Sequence, residues 1–313
     1  MAYILKKTGA LIATLLIISM LAFIAFQLIP GDPVTSILGT NYTPEMADSL
    51  RLELGLANPL PQRYLMWLSG MFTGDLGQSY TYGLPVSQML SGKLSVTLSM
   101  TALAFFLILI LSLPLGLLLT WRKGTVLDRV FAVLNQIVMA VPQFFIGIVF
   151  TMVFGLMLSL FKPGSFVSYA QSPGGYWAYL FFPALAIALP KAAMVTKLLR
   201  SSMLAEMKKD YVRTAYSWGN SRALTLRRHV LRNAIIPVIT FLSYTLTDII
   251  VGSVIIEQIF VVPGVGRLLL SSISSRDYPV VQLLVVLMAF LVVIVNYITD
   301  LAYRFIDPRL EDM

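Results

Sequence analysis

The sequence contains no cysteine and a single histidine, His229, among 313 residues. The first absence excludes disulfides, thiol catalysis and Cys-ligated metal, and the second leaves almost no histidine-based metal site within the chain. Charge is scarce as well: charged residues make up 12% against 58% hydrophobic, and the mean hydropathy of +0.82 excludes an ordinary water-soluble globule. No G-x-x-x-x-G-K-[ST] stretch occurs, since Gly92-Lys93 is followed by Leu94 and lacks the leading glycine, so the chain has no such phosphate cradle. The net charge of +8 comes without the basic and aromatic interleaving of a nucleic-acid surface, and no nucleic-acid partner is expected.

What the chain does have is long apolar runs. Six membrane spans are predicted, at about 9–29, 97–120, 130–160, 178–199, 234–256 and 279–301, each near or above the roughly 20 residues a helix needs to cross the hydrocarbon core. Pro183, Pro190, Lys191 and Lys197 interrupt 178–199, so the alternative of fewer spans with a re-entrant segment falls on this stretch, with six spans preferred. The N-terminal run follows Lys6-Lys7 and has no A-x-A-like cleavage site, so a retained first span is expected rather than a cleaved signal.

Lys and Arg placement sets the orientation. With the N-terminus inside, only Arg51, Arg63, Lys93, Lys162, Arg267 and Arg276 fall outside; every other basic residue, Lys191 and Lys197 included, is assigned to cytoplasmic segments and span ends. Both termini and the loop 200–233 are therefore expected in the cytoplasm, with 30–96 and 257–278 on the outer side.

The loop is the most basic stretch: Arg200, Lys208, Lys209, Arg213, Arg222, Arg227, Arg228 and Arg232 face only Glu206 and Asp210. Apolar residues recur in it at helical spacing, and Gly219-Asn220-Ser221 divides it into helix, turn and helix outside the bilayer. Two readings fit: an amphipathic pair resting on anionic lipid, or a docking element for a cytoplasmic partner.

Polar residues inside the spans form the second candidate site. Asn135 and Gln136 precede Val141-Pro142-Gln143; proline frees a backbone carbonyl that needs protein or polar neighbours, so these side chains either face a pore or bond between helices. Asp248, among Thr240, Ser243, Thr245 and Thr247, must face the bundle interior or a cavity rather than lipid. A structural or translocation-path role is preferred there over proton coupling. The outer loop 30–96 begins at Pro30-Gly31-Asp32-Pro33, which stops the first helix. It reads as a small subdomain too polar for lipid, with one helix starting at Thr43-Pro44-Glu45 behind a Thr43 cap and another over 61–68. Asn41-Tyr42-Thr43 forms a glycosylation sequon by pattern alone and is assigned no function.

Arg213-Thr214-Ala215 followed by Gly219 resembles the EAA-loop signature of ABC importer membrane subunits, with Arg213 where the general motif has Glu and Thr214 where it has the first Ala. The continuation Arg228-His229-Val230-Leu231-Arg232-Asn233-Ala234 to Pro237 is similar to the dipeptide/oligopeptide/nickel permease family. So are Pro30-Gly31-Asp32-Pro33, Glu53-Leu54-Gly55-Leu56, Gly74-Asp75-Leu76-Gly77, the Glu257 to Gly266 stretch through Pro263-Gly264, Arg276-Asp277-Tyr278-Pro279, and Asp307-Pro308-Arg309. The resemblance runs from residue 1 to 309. It implies an all-α membrane protein with six transmembrane helices in a type I ABC importer permease fold. The expected division is a first span over 1–29, an extracytoplasmic subdomain over 30–96, and a permease core over 97–309.

The resemblance further implies a permease subunit in a bacterial or archaeal cytoplasmic membrane, forming half of a path for di- and oligopeptides, with nickel or another small solute as the alternative cargo. No cofactor is expected in this chain; ATP and Mg are expected in two separate ATP-binding subunits, alongside a second homologous permease subunit, an extracytoplasmic substrate-binding protein and membrane lipid. Asp210, Arg213, Thr214, Ala215, Gly219, Arg228, His229, Arg232 and Asn233 are the expected coupling residues. Ala215 is expected to face the ATPase closely and Gly219 to hold a turn that residues with a Cβ fit poorly. A secondary carrier would show paired inverted repeats, and an intramembrane enzyme clustered acids, bases or metal ligands; neither pattern is visible.

Overall fold

The computed structural model describes residues 2–28, 34, 38, 43–53 and 55–306. Pro30, Gly31, Asp32, Pro33 and the sequon's Asn41 and Tyr42 lie outside the described residues, as do Leu54, Asp307, Pro308 and Arg309. Among the described residues the regular structure is helical: α1 (Ala2–Gln27), α2 (Pro44–Glu53), α3 (Leu60–Thr73), α4 (Val86–Leu90), α5 (Lys93–Trp121), α6 (Val126–Ala140), α7 (Gln143–Phe150), α8 (Pro173–Glu206), α9 (Asp210–Ser217), α10 (Arg222–Thr225), α11 (Leu231–Ala234), α12 (Ile236–Ile259), α13 (Val265–Ser274) and α14 (Tyr278–Ile306). Two π-helical segments, Thr151–Met157 after α7 and Leu226–Val230 between α10 and α11, complete the set. The chain divides into two compact units: Met1–Val96 with Gly264–Ile294, and Thr97–Pro263 with Val295–Met313.

In the first unit α3 lies along α1. The Ser19 and Tyr64 hydroxyls share a 2.8 Å hydrogen bond, and Phe23 packs its ring on Tyr64 and Trp67 at 5.4 and 5.9 Å between centroids. Leu65, Met66 and Phe72 of α3 stay exposed, so this helix presents an apolar surface beside α1. α2 starts at the expected place, where the Met46 N–H donates to Thr43 Oγ1 at 3.3 Å. A short hairpin follows α3, closed by Ser79 N–H to Leu84 O and Val86 N–H to Gly77 O at 2.9 and 3.0 Å. Its first arm is pinned by Asp277, a fully buried carboxylate that accepts the Ser79 hydroxyl and, at 3.0 Å, the Tyr80 N–H. Burial is the main cause of a raised pKa at the Tyr80 hydroxyl. Arg276, at φ 55°, turns the chain out of α13 so that Asp277 can point inward.

The second unit is built around α8, which packs against α6, α7, α11 and α12. Its 34 residues extend about 50 Å at 1.5 Å per residue, more than the roughly 30 Å hydrocarbon core, so its C-terminal turns project into the loop beyond. α8 is continuous through Pro183 and Pro190, both buried. The segment 178–199 is unbroken; a bend occurs in the preceding span, where α6 and α7 meet at 97°. Proline disfavours a helical conformation in the residue before it; Val141 is accordingly extended, at φ −86° and ψ 123°, and α7 restarts behind Pro142. At α8, packing on several sides by neighbouring helices supports the prolines. Five helical stretches are long and apolar enough to cross a membrane, Leu5–Gln27, Val86–Trp121, Pro173–Glu206, Ile236–Ile259 and Tyr278–Leu301, and the bent pair makes a sixth if counted as one span.

Glycine allows two close helix approaches in this unit. A Cβ on Gly147 would sit 3.2 Å from Ile256 Cδ1 and 3.3 Å from the Phe260 ring, and one on Gly116 would sit 2.7 Å from Leu199 Cδ2 and 3.2 Å from Leu199 Cβ. Gly116→Val therefore overpacks the α5–α8 contact, a change that costs on the order of 1–3 kcal/mol in a close-packed site. The expected outcome is a lower thermal unfolding midpoint for the detergent-purified variant; a midpoint equal to the parent's contradicts the close approach.

Candidate coupling loop and membrane-depth polar site

The loop after α8 folds as the sequence suggests, a short amphipathic helix, a tight turn and a second helical stretch. Glu206, at the end of α8, holds the entry: its carboxylate accepts Lys209 Nζ at 2.6 Å and the Tyr211 hydroxyl at 2.7 Å. Burial above all raises the Tyr211 hydroxyl above its ordinary pKa, with the Glu206 carboxylate adding to it, so it remains a neutral donor at physiological pH. Tyr211 thereby ties α9 to the end of α8. Asn233 Nδ2 donates to His229 O at 3.3 Å within the second helical stretch.

α9 ends in a Schellman arrangement, with Gly219 N–H donating to Tyr216 O at 2.9 Å and Asn220 N–H to Ala215 O at 3.3 Å. Gly219 sits at φ +81°, and a Cβ there would meet no atom within 4 Å. The demand for glycine is thus conformational and not steric, in keeping with the turn expected at this residue. Ser221 then caps α10, its hydroxyl accepting the Leu224 N–H at 3.3 Å.

Ala215 is oriented differently from expectation. It is 4% exposed and faces inward with Val212, because an eight-residue helix seated on its own chain turns its smallest apolar positions to that contact. The outward face is formed by Asp210, Arg213, Thr214, Ser217 and Trp218, with Trp218 79% exposed. Arg213 and Asp210 pair at 3.5 Å with both side chains largely in solvent, which contributes little to stability. Arg227, Arg228 and Arg232 are exposed along the second stretch and His229 is half-buried.

The polar residues at membrane depth gather around α8. Asn135 Nδ2 donates to Ala193 O at 2.8 Å, an interhelical bond of the kind weighed against pore lining. Gln136 Oε1 accepts Lys197 Nζ at 3.4 Å on an exposed face. Gln143, at the start of α7, lies directly over Gly252 of α12. Asp248 pairs with Lys191 Nζ across the α8–α12 contact; the Lys191 side chain is 10% exposed and the Asp248 side chain 69%. Lys191 is thus a mid-helix residue and not one of the cytoplasmic charges with which it was grouped. Flanked by apolar residues and Pro190, with an opposite charge alone in another span, it carried a signal that the count of basic residues obscured. Nearer the loop, Arg200 Nη2 pairs with buried Asp128 at 2.9 Å, and the Asp128 carboxylate also accepts the Gly124 N–H at 3.0 Å, fixing the inner turn between α5 and α6 to α8.

The outer-loop motif residues serve structure. Fully buried Glu257 accepts the Thr97 hydroxyl at 2.6 Å, Pro263 closes the first of the second unit's two segments, Gly264 precedes α13 as its cap, and Gly266 is buried on it. Among the described residues no group of three or more His, Asp or Glu side chains is arranged to hold a metal ion.

Long apolar helices joined by polar contacts at membrane depth, with a folded basic loop at one end, describe a multi-pass membrane protein. Solved structures titled as inward-facing conformations of the MetNI methionine ABC transporter share the fold, with TM-scores of 0.57 and 0.55 at 18% and 16% identity, covering 70% of this chain and 97% of theirs. The sequence matches the family described as binding-protein-dependent transport system inner membrane component over residues 112–312, and its N-terminal counterpart over 1–101. It is 35% identical over 309 residues to the "Probable peptide ABC transporter permease protein y4tP" of Sinorhizobium fredii, covering 99% of both chains. It is also 35% identical over 313 residues to the oligopeptide transport system permease protein AppB of Bacillus subtilis, covering 99% of each. The chain belongs to this family of inner membrane components and is a permease subunit of an ABC importer.

The Gly219 turn gives a test of the loop's construction. Left-handed backbone costs a residue with a Cβ roughly 1–2 kcal/mol, less for asparagine. Gly219→Asn is expected to keep the loop folded, whereas Gly219→Val is expected to increase proteolytic cutting within 206–222 of the membrane-inserted protein. Equal protection of both variants contradicts the left-handed turn.

Proposed function

We propose that this subunit forms half of the translocation path of an importer for di- and oligopeptides and receives the motion of separate ATP-binding subunits through the 200–233 loop. The assembly comprises a second homologous permease, two ATPases holding ATP and Mg, and an extracytoplasmic binding protein that delivers the peptide. In this reading the subunit has six spans in a type I permease fold, with both termini on the cytoplasmic side of a bacterial or archaeal membrane. The chain is organised as a first span over 1–29, an extracytoplasmic subdomain over 30–96 and a core over 97–309. Peptide as cargo is supported by relatives named for peptide and oligopeptide transport that align along the full chain.

The observation that carries the coupling role is the outward face of α9. A rigid eight-residue helix, closed by a left-handed glycine and tied to α8 by Tyr211 and Glu206, exposes Arg213, Thr214, Ser217 and Trp218 together. An exposed tryptophan on a fixed element is the side chain that most often anchors a protein contact. Ala215 supports this face from within. Asp248 and Gln143, which meet at α12, mark the side of the bundle that opens on the path, whereas Asn135 bonds between helices on the opposite side of α8; ATP-driven closure switches the path between its two accesses.

The test uses the complete importer reconstituted with its ATPases and binding protein. Trp218→Ala is expected to leave membrane insertion intact while weakening ATPase retention about tenfold or more, as loss of a binding anchor does, and to lower ATP-driven peptide uptake. Reversing the charge of Arg227 and Arg228 is expected to have the smaller effect. Full ATPase retention in Trp218→Ala, with loss in the arginine variants, assigns the loop to the lipid surface and contradicts the proposal.

A further inference from the structure

The Lys191–Asp248 pair is asymmetric in a way that its structural role does not require. Lys191 is enclosed, whereas the Asp248 side chain remains 69% exposed although it stands halfway along α12. One carboxylate oxygen, Oδ2, takes the ammonium; Oδ1 accepts no hydrogen bond among the described residues. Asp248 belongs to a single outward stripe of α12 with Tyr244, Val251, Ile255 and Gln258, and Gln143 lies against Gly252 one turn away. A carboxylate at membrane depth is not left facing hydrocarbon, so this stripe is met by water or by protein. The polar flank supplied by Tyr244 and Gln143 favours water.

We infer that Asp248, braced from behind by Lys191, presents its free carboxylate oxygen to the aqueous path as the acceptor for the positively charged group of the solute in transit, a primary ammonium in the case of a peptide. This rests on the path reading given above and adds the charge preference of the path wall. Lys191 is the positioning residue: it fixes the carboxylate and turns the negative end of the pair toward the path. Without it the site would carry a net negative charge, and without Asp248 a net positive one, so the two removals shift the local potential in opposite directions. Disruption of packing alone would move both variants the same way.

The cysteine-free chain allows a direct test that uses no peptide. Val251→Cys, one turn from Asp248, is introduced into the assembled importer, and its reaction with 2-aminoethyl and 2-sulfonatoethyl methanethiosulfonate is timed, each rate normalised to that of a small free thiol. The cationic reagent is expected to be favoured. Adding Asp248→Asn is expected to lower the cation-to-anion rate ratio about tenfold, and adding Lys191→Met to raise it. A cysteine that reacts with neither reagent in the assembled complex shows that a neighbouring subunit covers the stripe and overturns the inference; so does a ratio that Asp248→Asn leaves unchanged, or one that both variants shift in the same direction. Failure of the peptide reading registers separately, as absence of ATP-driven peptide uptake by the parent complex.

Discussion

A buried ammonium between membrane helices has to be answered by a negative charge, and here one residue answers it. Without Asp248 the enclosed ammonium of Lys191 would be left uncompensated, so the Lys191–Asp248 pair specifies which face of α12 meets α8. Other contacts agree with that register. The Tyr179 hydroxyl donates to Phe260 O at 2.5 Å, and Asn135 binds the α8 backbone from the opposite side. Because α8 leads into the 200–233 loop and α12 leads out of it, the two helices form a closed hairpin whose arms are tied midway by Lys191 and Asp248 and again, farther from the loop, by Tyr179 and Phe260. A displacement imposed on the loop is then transmitted to both arms together.

The irregular segments lie outside this tied pair. α6 and α7 turn through 97° at Val141-Pro142, and α7 relaxes into a π-helical segment before Ser159 turns left-handed. The second π segment, Leu226–Val230, lies within the loop and joins α10 to α11. π-helical geometry recurs at functional sites and places successive side chains off the usual helical register; in the loop it is the stretch that exposes Arg227 and Arg228. Regular, doubly anchored helices are thus combined with a bent periphery and a compact loop.

Much of this was legible in the residues. Long apolar runs mark spans, and 3.6-residue periodicity interrupted by Gly219-Asn220-Ser221 marks a helix, turn and helix, because these are local properties of the chain. What remained hidden depends on residues far apart in sequence. Lys191 reads as one more inner-surface lysine until Asp248 is placed beside it. Asp277 reads as a turn residue until Ser79 and Tyr80, 198 and 197 residues away in sequence, are brought to it. Ala215 shows the same limit: a small residue on an amphipathic helix suits a partner or its own chain equally well, and only burial decides. Pro190 and Pro142 show it for the backbone, since identical local chemistry leaves one helix continuous and breaks another according to the packing around it.

The central claim is that α8 and α12 move as one body beneath the loop. Spin labels on paired cysteines at Ser201 in α8 and Thr240 in α12, introduced into the cysteine-free chain of the reconstituted importer, measure it by pulsed dipolar spectroscopy with and without a trapped ATP analogue. The account predicts that the Ser201–Thr240 distance distribution stays the same while uptake cycles normally in the labelled complex. A nucleotide-dependent shift of several ångströms, on the scale of helix displacements in switching transitions, would show that the arms slide past one another and would contradict it.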